Sequence, residues 1–476
     1  MPVRTGAQYI KSLQDEREVW IDGERVGDVT THPAFRGCIT TVAALYDMQH
    51  GSLQNKMTYA SPSTGDPVGL SFLIPKNKKD FHRRRGMMTL WAQATVGMMG
   101  RSPDYVNVSI AAMAAAAEYF GRNRPEFANN IWKYYERIRE NDLVVSHALL
   151  NPSHIGDQIT LVEEPALRLI EETSEGIIIS GSRKLDTSGA TANEIILYPT
   201  FRLETNDMYA LALALPCNTP GLKFVCRESF NYGGSRADHP LASRFEEMDA
   251  VVFFDNVFVP KNRIFLLGDV ALYNQMAQET HYVTHSDDQT SVRQNAKTEF
   301  LLGIASLIVK TLGLDKDPTV QEQLGEMVGY LVTMKSLLQT AEENATTNKW
   351  GVYTPDVMPL VTARSMFARD FYPHIMEIIR LLSSSSLMTL PSMTSFDTVL
   401  KPELEKYLAT GTMTAQERIR LLHLVSDIAC SAFGAREEHY ERHFAGPPMR
   451  NAQALERMFD RGPVEDFVLK FLARTD

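Results

Sequence analysis

Up to about residue 142, apolar positions recur every three to four residues, which predicts helices over roughly 81–99, 110–120 and 127–140. On the last of these, Ile131, Tyr134, Tyr135 and Ile138 share a face. The run Ala111 to Ala117 is flanked by large apolar residues and reads as a closely packed helix rather than a low-complexity tract. From about 143 to 265 the texture changes to short apolar or alternating runs bounded by turn residues, among them 143–150, 167–170, 176–179, 195–199, 209–216, 222–225 and 251–254. Helical periodicity returns afterwards, over roughly 290–312, 317–348, 358–383 and 414–431. The expected fold is α+β and multidomain: an N-terminal helical domain at 1–142, a middle β barrel or sandwich at 143–265, and a C-terminal helical bundle at 266–476. The combined apolar faces of the bundle exceed what one small core needs, so association through it is expected.

The length supports this division, since 476 residues exceed the ~300 that one hydrophobic core serves. Lys and Arg number 48 against 58 Asp and Glu, a net charge of −10 that offers no basic surface to a nucleic acid. No stretch approaches the ~18 apolar residues of a membrane span, and the first residues lack the apolar core of a secretory signal. Cys38, Cys217, Cys226 and Cys430 are too scattered for a disulfide framework or a CxxC site. A soluble, cytoplasmic protein is expected.

The common chemical motifs are missing: there is no Gly-x-Gly-x-x-Gly after a strand, no P-loop and no Gly-x-Ser-x-Gly elbow. Two histidine pairs have helical spacing. His281 and His285 lack a third ligand, and the neighbouring Asp287-Asp288 reads as the start of the next helix. His439 and His443 sit in a segment charged at nearly every position, which reads as a solvated face, so no metal site is expected. More informative is the corner at 97–107. Gly100 and Pro103 break the chain between two helices, so Arg101 and Tyr105 project from an ordered turn; the plain alternative is a cap at Ser102 or Asp104 beside a surface cation. His147 falls on the apolar face of an alternating strand with Val145 and Leu149, either as a satisfied core residue or as a neutral imidazole available for proton transfer.

Several segments carry a family likeness almost end to end: Arg4-Thr5-Gly6-x-x-Tyr9-Ile10, Thr31-His32-Pro33-x-Phe35-Arg36-Gly37, Met98 to Tyr105, His147-Ala148-Leu149-x-Asn151-Pro152, Cys226-Arg227-Glu228 and Phe433-Gly434-Ala435-Arg436. On these the chain resembles the oxygenase component of the two-component, FADH2-dependent phenol hydroxylases, the 4-hydroxyphenylacetate 3-monooxygenase large-component family. The resemblance implies an acyl-CoA-dehydrogenase-like fold, a homotetramer, and a separate NAD(P)H:flavin reductase that supplies FADH2. It also implies ortho-hydroxylation of a phenol by O2 through an electrophilic hydroperoxide on the flavin.

In such a site Arg101, Tyr105 and His147 would surround the phenol oxygen. The chemical need is clear, because the ring attacks an electrophile faster as phenolate while a free phenol has a pKa of ~10. A guanidinium stabilises that anion, and an imidazole accepts or relays its proton. The resemblance places Thr187 near the reactive edge of the flavin, Asn151 and Ser153-His154-Ile155-Gly156 along it, and Pro447-Pro448-Met449-Arg450 in a flavin-contacting turn, with Arg450 toward the diphosphate. At Thr200-Phe201, relatives acting on 4-hydroxyphenylacetate carry two hydroxyl residues that meet the substrate side chain. Phe201 removes one donor, which disfavours a buried carboxylate and points to a less polar phenol, or to one whose carboxylate is bound differently. Three rivals remain at this stage: acyl-CoA dehydrogenation, the related hydroxyacyl-CoA dehydratase with its cysteine-held iron–sulfur cluster, and a flavin-binding scaffold without turnover.

Overall fold

The computed structural model describes residues 3–150, 165–199, 202–231 and 235–474; the side chain of Leu149 is outside that description. The expected residues Asn151, Ser153, His154, Ile155, Gly156, Thr200 and Phe201 therefore lie outside the described residues.

The middle of the chain forms a ten-stranded sheet organised around one long strand, Gly176–Thr187. That strand pairs antiparallel with Asp249–Pro260 along its whole length, with Arg168–Glu172 on its first half and with Val145–Leu150 on its second. Gly181 stands at the change of partner with φ 126°, and a Cβ there would collide with the carbonyl of Ala166. Beyond Val145–Leu150 the order continues through Glu194–Leu197, Leu211–Pro216 and Ile264–Leu267. On the other side come Asp249–Pro260, Leu222–Cys226, Glu18–Ile21 and Glu24–Arg25. Glu18–Ile21, from the segment read as helical, thus pairs in parallel with Leu222–Cys226. Its four residues, with Val19 and Ile21 buried, are too short for periodicity to reveal.

The helices differ from their expected bounds for local reasons. The helix expected at 81–99 is Lys78–Ala94, ended by left-handed Val96 and Gly97; the alanine-rich one breaks at Ala116 into Pro103–Ala115 and Ala117–Gly121. The segment expected at 358–383 is Val357–Met366 and Tyr372–Ser383 joined by a π turn over Phe367–Phe371. Asp287 and Asp288 do not start a helix. They are buried inside Tyr282–Leu312, which packs on Lys78–Ala94 and Pro103–Ala115.

That 31-residue helix buries a polar stretch from Thr284 to Thr298, and the reason lies in its partner helix, Ala432–His443. Arg293 donates to both oxygens of Glu441 at 2.5 and 3.0 Å, while Lys297 donates to Glu441 at 2.6 Å and to Glu437 at 2.8 Å. Both carboxylates and Lys297 are fully buried. The expectation of a solvated face on 437–443 is therefore corrected for Glu437 and Glu441: a cation pair spaced i, i+4 on one helix meets a carboxylate pair spaced i, i+4 on the other. Leaving one member of such a cluster unpaired is costly. Lys297→Met is expected to cost about 3–5 kcal/mol in a denaturant melt, whereas Lys78→Met, at an exposed pair with Glu343, is expected to leave the melt unchanged.

Candidate active site

Arg101 is buried, not a surface cation, and Ser102 makes no side-chain cap bond to the helix that follows. The turn is held from outside. Glu247 accepts the backbone N–H of Gly100 at 2.8 Å and of Arg101 at 2.6 Å, and Arg436 lies 3.6 Å from the same carboxylate. Gly100 is required by close approach, since a Cβ would collide with the hydroxyl of Tyr440. Behind Glu247, Asp249 accepts from Arg227 at 3.1 Å, from Arg436 at 2.7 and 2.9 Å and from Thr187 at 2.8 Å. Burial works to raise the Asp249 pKa, but Arg436 and Arg227 outweigh it and hold it at about 2.

The guanidinium of Arg101 lies 4.0 Å from the ring centre of Tyr105 and donates to the carbonyl of Gly100 and the hydroxyl of Tyr440. Its Nε donates to Nε2 of His147 at 2.8 Å. Desolvation opposes the charge on Arg101, yet Tyr105, Tyr440, Tyr198 and Glu247 keep its pKa above the ordinary value. Burial, and then Arg101, drive the His147 pKa well below the ordinary histidine value, so its imidazole is neutral. Nδ1 of His147 meets the hydroxyl of Tyr198, whose ring packs edge-on against Tyr282 at 5.1 Å.

Tyr105, His147, Tyr198 and Tyr282 form part of the wall of a cavity of about 1000 Å³. The wall also includes Asn274, Gln275 and Gln278 of the helix Val270–Thr280, and Arg202, Arg364 and Arg450 supply cations. Arg364 donates to Asp287 at 2.6 Å. Tyr282 donates to the carbonyl of Pro199 at 2.7 Å, and Asn274 bonds both the N–H and the C=O of Leu203.

The structure thus brings Arg101, Tyr105 and His147 into mutual contact, with Tyr105 and His147 on the cavity wall and Arg101 behind them. Arg450 lines the cavity; Pro447, Pro448 and Met449 do not, the neighbouring wall being Phe444, Ala445 and Gly446. Thr187 is likewise off the described wall, its hydroxyl committed to Asp249. Sequence reasoning missed Tyr198, Tyr282, Arg364 and Glu247. Tyr198 stood two residues before Thr200, and a tyrosine closing an apolar strand was its only signal. His285 is fully buried and its Nδ1 bonds Arg84 at 2.8 Å; no group of three potential metal ligands occurs among the described residues.

The three-part architecture and the aromatic, cation-edged cavity are those of an acyl-CoA-dehydrogenase-like flavoenzyme. Family models described as 4-hydroxyphenylacetate 3-hydroxylase, N terminal and C terminal, match residues 5–266 and 273–473. The chain is 42% identical to 4-hydroxyphenylacetate 3-monooxygenase oxygenase components from Geobacillus sp. (strain PA-9), over 99% of this chain and 97% of the relative, and from Thermus thermophilus, over 98% and 97%. A crystal structure of such a component, HpaB, complexed with FAD and 4-hydroxyphenylacetate, superposes with a TM-score of 0.93 at 42% identity, covering 98% of both chains. The chain belongs to the 4-hydroxyphenylacetate 3-hydroxylase family and is a flavin-dependent monooxygenase.

One buried acid beside the site gives a stability signature. Burial raises the pKa of Asp186 to about 8; Ser146 and Arg101 offset this only in part, and the charge of Asp249 adds to it. An unfolded aspartate titrates near ~3.9, so the native state binds the extra proton between the two values. The contribution of Asp186 is therefore full below about pH 4 and is lost as the pH rises through about 8. Asp186→Asn, which stays neutral, is expected to be more stable than the parent near pH ~9, with the difference closing near pH ~4 in paired urea melts.

Proposed function

We propose that this chain hydroxylates a phenol ortho to its hydroxyl, using O2 and FADH2 delivered by a separate reductase, with Arg101, Tyr105, His147 and Tyr198 as the phenol end of the cavity. The observation that carries the reading is the buried Arg101–His147 bond beside a cavity wall that includes Tyr105, Tyr198, Tyr273 and Tyr282. The cavity also suits FAD. Its aromatic walls fit a flat ring system, and Arg364, whose buried Nε has no hydrogen-bond partner, and Arg450 are placed for a diphosphate. When bound, reduced FAD supplies the activated oxygen. The protein's own part is to exclude water, to orient the phenol against the tyrosines, and to favour the phenolate with the charge of Arg101. Asn151, Ser153 to Gly156, Thr187 and Pro447 to Met449 stay in the proposal as flavin neighbours on family likeness alone.

The dehydratase reading has little to stand on, since Cys38, Cys217, Cys226 and Cys430 are all off the described cavity wall. No described helix is long and apolar enough to cross a membrane, and a cytoplasmic location is part of the proposal. So is the division at 142 and 265, with Glu18–Ile21 lent to the middle unit.

Replacing a hydroxyl residue by Phe201 supports a substrate less polar than 4-hydroxyphenylacetate. In coupled assays with FADH2 and O2, kcat/KM for the best uncharged phenol of a panel is expected to exceed that for 4-hydroxyphenylacetate at least about tenfold, and equal values would contradict it. A homotetramer is supported by the helix Gly462–Leu472, which buries none of its residues and exposes Val464, Phe467, Val468, Phe471 and Leu472 at helical spacing. Phe467→Asp combined with Phe471→Asp is expected to yield a smaller particle by light scattering; an unchanged mass would place the interface elsewhere.

A further inference from the structure

Tyr440 projects from the bundle helix Ala432–His443 and is buried. Its ring sits among three guanidinium groups, with the central carbons of Arg436, Arg101 and Arg293 at 4.5, 5.4 and 6.0 Å from the ring centre, and its hydroxyl oxygen accepts from Nη1 of Arg101. Burial raises its pKa above the ordinary tyrosine value against the pull of Arg101, so the hydroxyl is uncharged. One turn further on, the ring of Phe444 stacks on that of Tyr440, 5.4 Å between centres and 14° between planes, and lies 5.7 Å from the Arg101 guanidinium. Phe444 is on the cavity wall beside Ala445 and Gly446, whereas Tyr440 is off it. Gly446, at φ 93°, turns the chain into the helix Pro448–Met458, which carries Arg450 and packs on Val357–Met366, the helix that carries Arg364. The cations placed for the diphosphate are thus joined to Arg101 through one short piece of chain, and the joint is a pair of stacked rings.

We infer that Tyr440 is a positioning residue that couples the two ends of the cavity: with a flavin against Phe444 the ring stack is held still, and Tyr440 then keeps the Arg101 guanidinium in place at the phenol end. This rests on the phenol-hydroxylase reading and deepens it. Among the described residues the Arg101 side chain donates to three acceptors: the carbonyl of Gly100 at 3.0 Å, Nε2 of His147 at 2.8 Å and the oxygen of Tyr440. Gly100 and His147 tie it to the N-terminal part and the middle sheet. Of the three, Tyr440 alone brings in the bundle, which also carries Phe444, Arg364 and Arg450. An empty flavin end leaves the stack free to shift and Arg101 with one anchor fewer. Such a coupling is reciprocal, so flavin tightens phenolate binding by the factor by which phenolate tightens flavin binding.

The test titrates oxidised FAD and 4-nitrophenol calorimetrically onto the whole enzyme, each with and without a saturating amount of the other, at about pH 8, where the free probe is largely nitrophenolate. The ratio of the affinities with and without the second ligand is the coupling factor. In Tyr440→Phe, which keeps the ring and its stack but loses the oxygen facing Arg101, the factor is expected to fall about fivefold while FAD alone binds as to the parent. Phe444→Leu is expected to lower the factor to the same degree, besides weakening FAD alone, and the double variant no further than either change by itself. Phe444→Tyr, which can still stack, is expected to retain the parent factor. A Tyr440→Phe enzyme with the parent factor, or losses that multiply in the double variant, would overturn the inference and leave the hydroxylase reading standing. Should Tyr440→Phe fail to bind FAD, a parent factor in Phe444→Leu would overturn it instead. A parent enzyme that binds FAD and nitrophenolate independently overturns the inference alone, and one that binds no nitrophenolate even with FAD overturns both readings.

Discussion

A guanidinium buried beside a neutral imidazole is stable only if carboxylates elsewhere balance it and other groups fix its backbone. Glu247 does both for Arg101, accepting two successive amides of the turn while facing Arg436. Arg436 in turn bonds Asp249 and Glu437, and Glu437 shares Lys297 with Glu441, which holds Arg293. The charges form one continuous cluster, from the middle sheet through the Arg101 turn into two helices of the bundle. Each part of the chain supplies members to it, so the three parts cannot shift independently without uncovering a buried charge.

The site inherits its geometry from this cluster. Tyr440, on the same helix as Arg436 and Glu441, closes over Arg101 and excludes any side chain at Gly100. The strand Val145–Leu150 brings His147 to the other side of the guanidinium because it is paired both with the long Gly176–Thr187 strand and with Glu194–Leu197. The latter strand runs directly into Tyr198. Two strand neighbours, His147 paired with Ile196 and Tyr198 two residues on, therefore present their rings to one another. The cavity receives the edge of this arrangement, and the cation stays out of water, where its field is least screened.

Much of this was legible in the chain. The strand texture that starts near 143 covers the sheet's strands from Val145–Leu150 onward, though not Glu18–Ile21 and Glu24–Arg25, and the Gly100–Pro103 break marked the turn that carries Arg101. What was not legible has physical causes. Glu18–Ile21 is too short to show a period. The polar stretch Thr284 to Thr298 contradicts the rule that helices bury apolar faces, because its partners are 140 residues away or more along the chain. The matched spacing of Arg293 with Lys297 and of Glu437 with Glu441 was the available signal, and it is visible only when two distant segments are read together. Glu247 sits in a charged stretch, Glu246-Glu247, that resembles surface until the amides of Gly100 and Arg101 are brought to it. Tyr198 and Tyr282 are core aromatics as well as wall residues, and nothing in their sequence context separates the two roles.

The account turns on a buried, charged Arg101 held against a neutral His147 protonated only on Nδ1. Nitrogen-15 spectra of the enzyme labelled at histidine report this directly, with His147 assigned by comparison with its glutamine variant. A type-specific pattern with Nδ1 protonated and Nε2 bare, unchanged down to about pH 6, is the result the account requires. A ring protonated on Nε2, or an imidazolium that forms near the ordinary histidine pKa of ~6.5, would contradict it.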